Sequence, residues 1–67
     1  MDKRQLLALA VANAKNQSVE RPNEKIYLFF DGESEFTTAI GEKGKDTVLA
    51  VEPNLTLVAT FLNGDVI

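Results

Sequence analysis

Residues 25–40 read Lys25-Ile26-Tyr27-Leu28-Phe29-Phe30-Asp31-Gly32-Glu33-Ser34-Glu35-Phe36-Thr37-Thr38-Ala39-Ile40, and this stretch decides the fold. Ile26 to Phe30 is an unbroken run of aliphatic and aromatic side chains, a composition that favours extended backbone. Asp31-Gly32-Glu33-Ser34 is turn chemistry: Asp and Ser bond back to nearby N–H groups, and Gly accepts positive φ. Phe36, Thr37 and Thr38 then return to strand-favouring types. The stretch predicts a hairpin with strands over 25–30 and 35–40. A four-residue turn sets Phe30 opposite Glu35 and Phe29 opposite Phe36, and a slip of one residue would exchange the faces.

Toward the C-terminus, Gly41-Glu42-Lys43-Gly44-Lys45 reads as a flexible connection. Asp46 to Val51 reads as a third strand, Glu52-Pro53-Asn54 as a turn and Leu55 to Leu62 as a fourth strand. Asn63-Gly64 is a strong two-residue hairpin signal. The three residues after it, Asp65-Val66-Ile67, form a short return strand within the monomer or pair at the edge of another chain.

Toward the N-terminus, Asp2 and Gln5 have the spacing of a capping box. At 100° per residue, Leu6, Leu7, Ala10, Val11 and Ala14 share an arc of about 140°, which predicts an amphipathic helix over about residues 2–15. Lys3 and Arg4 before an apolar run also resemble a cleaved leader. That run is short, and losing it would leave the sheet without a helix. The expected fold is α+β: a two-layer sandwich of one N-terminal helix on a four-stranded antiparallel meander, forming a single domain over residues 1–67.

The composition narrows the chemistry. The chain has 67 residues and carries a net charge of −3, with 7 basic side chains against 10 acidic ones. That balance argues against direct nucleic-acid binding and against attachment to an anionic membrane. There is no cysteine and no histidine, which removes disulfides, thiol catalysis, the commonest general base and the commonest metal ligands. We therefore expect a cytoplasmic protein that is no enzyme and holds no cofactor or metal. A core this small is marginal, and association with a partner protein or with itself, as a homodimer or larger, is one way to complete it.

One helix cannot cover both faces of a four-stranded sheet. The face bearing Tyr27, Phe29, Phe36 and Leu49 is the heavier and is assigned to the helix. The opposite face, with Ile26, Leu28, Phe30, Val48 and Val58, is expected to lie open as a protein interface. Two other groups invite chemistry. Asp31, Glu33 and Glu35 alternate like oxygen ligands of a hard cation but lack the spacing of a calcium loop, and read as a solvated turn. The 41–47 stretch has a passing likeness to a phosphate loop, with Lys43, Lys45 and Thr47 as possible anion contacts, but its glycines are wrongly spaced.

The leading expectation is a non-enzymatic protein-binding module: a small inhibitor or regulator that occludes a partner surface, on the scale of phage or mobile-element anti-defence proteins. The second is a homo-oligomer that binds a small anionic ligand, such as a nucleotide, at subunit junctions.

Overall fold

The computed structural model describes residues 2–67. Helix α1 (Lys3–Glu20) is followed by β1 (Ile26–Phe30), β2 (Phe36–Ile40), helix α2 (Gly41–Val51), β3 (Thr56–Leu62) and β4 (Asp65–Val66). The fold is α+β, with an N-terminal helix and a four-stranded antiparallel sheet in the order β2-β1-β3-β4.

Helix α1 starts where its chemistry dictates. The Asp2 carboxylate accepts from the Gln5 N–H at 2.9 Å, and the Asp2 N–H donates to the Gln5 side chain at 3.1 Å, completing the capping box. The helix continues past the predicted end at residue 15 as far as Glu20, because Ser18 is held on both sides. Its hydroxyl donates to the Lys15 carbonyl at 2.7 Å and accepts from the Gly64 N–H at 2.8 Å. Asn63 and Gly64 both have positive φ, as the Asn-Gly signal requires, and Leu62 pairs with Asp65 across them. Asp65 and Val66 thus return within the monomer.

The segment 46–51 corrects the expected third strand: it lies inside α2. The crossover from β2 to β3 therefore runs through a helix, and β1 sits between them instead of at one end of a meander. Gly41 turns the chain out of β2 with φ 71°. From there Val48 and Leu49 pack against Tyr27, Phe29, Ala39 and Leu55. On the other face α1 covers Ile26, Leu28 and Phe61 with Ala10, Val11 and Ala14. Each face of the sheet thus has its own helix, and the continuous apolar run of β1 is buried on both sides, the pattern of a strand covered twice.

The hairpin register also differs from the one expected by one residue. Phe30 lies opposite Phe36, with ring centroids 4.7 Å apart, and Leu28 lies opposite Thr38. Asp31 causes the shift. Its Oδ1 accepts from the N–H groups of Glu33, Ser34 and Glu35, which spans residues 31–35 as one capped loop.

Candidate functional site

Helix α1 lies on the face of Ile26 and Leu28, and α2 on the face of Tyr27 and Phe29 that was expected to carry α1; this corrects the expected interface. Ile26 and Leu28 are fully buried beneath α1 and present nothing to a partner. Val48 is half-buried under α2 on the opposite face. Phe30 is half-buried against Phe36. Val58 falls at the register shift between β1 and β3, which leaves it without a cross-strand partner and 43% exposed. The five residues do not form one surface, because a helix stands in place of the third strand and the chain makes no meander.

The possible anion contacts do not converge either. Residues 43, 45 and 47 lie on α2, where successive side chains turn by 100°, so Lys43 and Thr47 share one side and Lys45 the other. The Lys45 ammonium lies 5.1 Å from the Tyr27 ring centre and 3.2 Å from the Glu42 carboxylate. The Thr47 hydroxyl donates to the Lys43 carbonyl at 2.9 Å. Among the acids, the Glu33, Glu35 and Ser34 N–H groups hold the Asp31 carboxyl below its usual range. Its Oδ1 is thereby committed to the turn. No three His, Cys, Asp or Glu side chains gather as metal ligands among the described residues.

The arrangement that does form lies along β2. A groove of about 310 Å³ runs between α1 and β2, with Leu6, Leu9, Ala10 and Phe36 as its accessible apolar lining, the buried Leu28 beneath them, and Asn13 and Thr38 among its polar groups. Leu9 is 52% exposed, on the side of α1 turned away from Ala14. It broadens the apolar surface beyond what the core uses.

Beside this groove β2 is an outer strand of the sheet. The direction of its free backbone groups follows from two bonds at its ends. The Asp31 N–H donates to the Glu35 carbonyl at 3.1 Å, and the Gly41 N–H donates to the Lys25 carbonyl at 2.8 Å. Antiparallel pairs alternate between hydrogen-bonded and non-hydrogen-bonded. Pairs 31–35 and 25–41 are of the first kind, and so are Phe29–Thr37 and Tyr27–Ala39 between them. The N–H groups of Phe36, Thr38 and Ile40 therefore point away from β1. Their side chains lie on the same face as Leu28 and Phe30, the face that α1 covers.

Proteins commonly guard such an edge with Lys, Pro, a bulge or a very short strand. The opposite edge follows this rule in two ways: the two-residue β4, beginning with Asp65, covers Phe61 and Leu62, and the rest of β3 is interrupted by the register shift at Val58. The β2 edge does not: Phe36-Thr37-Thr38-Ala39-Ile40 has no charge and no proline, and its pairing with β1 has no bulge. Sequence reasoning passed over these residues because edge status depends on strand order. The one local signal was the absence of any guarding residue from a five-residue strand. Compared with protein-family models, curated proteins and solved structures, the chain matches none.

Proposed function

We propose that the protein is a non-enzymatic protein-binding module, a small inhibitor or regulator that takes up an extended segment of a partner along β2. The observation that carries this reading is the unguarded edge of β2 with the apolar groove beside it. Strand addition supplies main-chain hydrogen bonds from Phe36, Thr38 and Ile40, and every second side chain of the added strand points over the groove. Backbone bonding gives affinity, and the fit against Leu6, Leu9 and Phe36 gives selectivity.

Native mass spectrometry of the protein purified gently from its source cells tests this, with two variants alongside. Leu9→Asp places a charge in the groove wall at an exposed helical position, and Val51→Asp does the same at the far end of α2. The expected result is a second protein that accompanies the wild type and Val51→Asp but not Leu9→Asp. A companion lost with Val51→Asp and kept by Leu9→Asp would move the site to the other face. A bound small molecule in place of a protein would favour a ligand-binding oligomer.

A further inference from the structure

We infer that β2 also pairs with β2 of a second copy, antiparallel about a two-fold axis at Thr38, so that the free protein stores its docking edge inside a homodimer. The two-fold sets Thr38 opposite Thr38 of the second copy, Phe36 opposite its Ile40 and Thr37 opposite its Ala39. The two Thr38 residues exchange both backbone bonds, and each Ile40 N–H donates to the other copy's Phe36 carbonyl. These are the groups that the β1–β2 ladder leaves pointing outward. Thr–Thr and aromatic–β-branched pairs are favourable across strands, and like charges face each other nowhere within the five residues.

Charge at the ends of the strand favours a second copy in particular. The same axis sets Glu35 opposite Gly41 of the other copy, and Gly41 is bonded to Lys25 on the next strand in. Residues aligned across a sheet point to the same face, so Glu35, the other copy's Gly41 and its Lys25 form one row. Glu35 and Lys25 then stand two strand spacings apart, about 9.6 Å between backbones, with Gly41 between them and Glu42 of the first turn of α2 beside Lys25. A carboxylate and a lysine on four methylenes reach each other across that gap. Symmetry makes the contact twice. It draws together two chains that each carry −3 overall.

The pairing itself stands on this geometry alone, whereas its role in masking the site rests on the proposed function above. A partner and a second copy need the same N–H groups, so they exclude each other.

Sedimentation velocity on the purified protein from about 5 µM to 1 mM provides the test. The expected wild-type result is a monomer–dimer equilibrium that weakens in high salt. Lys25→Glu and Glu35→Lys should each weaken the dimer by at least about 10-fold, the loss of two attractions and the gain of two repulsions. The double variant K25E/E35K should recover most of that loss. Thr38→Pro deletes the central outward donor and takes no bond from β1, and it should abolish the dimer while circular dichroism is retained.

A wild type that stays monomeric at 1 mM, or a double variant no better than either single one, overturns the dimer. If Leu9→Asp nevertheless loses its companion protein, the proposed function survives that failure. A dimer that persists in the presence of the bound companion overturns the masking role.

Discussion

Two side chains carry more than their size suggests. Ser18 is the one fully buried polar residue among those described, and both of its bonds are made within the protein. Ser18→Ala removes the acceptor for the Gly64 N–H, which holds the β3–β4 turn against the end of α1. It should cost about 1 kcal/mol, since water reaches the partly buried Gly64 N–H; urea denaturation measures this. A loss near zero would mean that α1 and the turn are not coupled there.

Tyr27 is the second. Its hydroxyl donates to Glu42, and this bond, with burial, raises the Tyr27 pKa above the ordinary 10.0. The same bond, with Lys45, lowers Glu42 below the ordinary 4.5. The Tyr27 contribution is complete below pH 10.0 and is lost as pH rises through the folded value, because the unfolded chain ionises first. The Glu42 contribution is complete above 4.5 and is lost as pH falls through its folded value. The stability difference between wild type and Tyr27→Phe should therefore be widest between these limits and close at both ends. A difference that is flat across denaturation midpoints from pH 3 to 11 would show that the bond does not form in solution.

At the scale of elements, α2 is the one whose identity the sequence concealed. Gly44, Thr47, Val48 and Val51 are poor helix formers, and Thr, Val and Leu together suggest a strand. Helical spacing was present in Gly44 and Val48, in Lys45 and Leu49, and in the Glu42–Lys45 pair, but over only eleven residues. A stronger clue lay in β1. A sheet with one open face alternates apolar with polar, and Ile26-Tyr27-Leu28-Phe29-Phe30 does not alternate. The run called for cover on both faces, which one helix cannot supply. By contrast, the Asp2–Gln5 cap and the Asn63-Gly64 turn were legible because each depends only on neighbours in sequence.

The weak propensity of α2 also makes a prediction. A methyl group on Gly44 would meet Ala39 at 3.7 and 3.9 Å, ordinary contact distances. Gly44→Ala should therefore stabilise the protein by about 0.5–1 kcal/mol through the entropy of the unfolded chain, read as a higher urea midpoint. Destabilisation would mean that α2 lies closer to β2 than this geometry gives.

For the whole molecule, the sheet order sets both where the core is and where the surface is open. β1 has a strand on each side and a helix on each face, so its amides open only when the entire chain opens. β2 has one strand beside it, and its amides fall into two classes. Thr37 and Ala39 donate into β1; Phe36, Thr38 and Ile40 donate to solvent. The same alternation that gives the fold its register thus decides which groups a partner meets, and that can be tested without knowing the partner. At micromolar concentration, hydrogen exchange should be slowest across Tyr27 to Phe29, slow at Thr37 and Ala39, and orders of magnitude faster at Phe36 and Thr38. The fast pair should slow as concentration rises, and Ile40 with it, because the second copy bonds to the three outward donors and leaves Thr37 and Ala39 as they were. The opposite ranking, with Thr37 and Ala39 fast, would place their N–H groups on the free edge. Thr38→Pro would then take a bond from the β1–β2 ladder, and the pairing through the Phe36, Thr38 and Ile40 donors would be overturned.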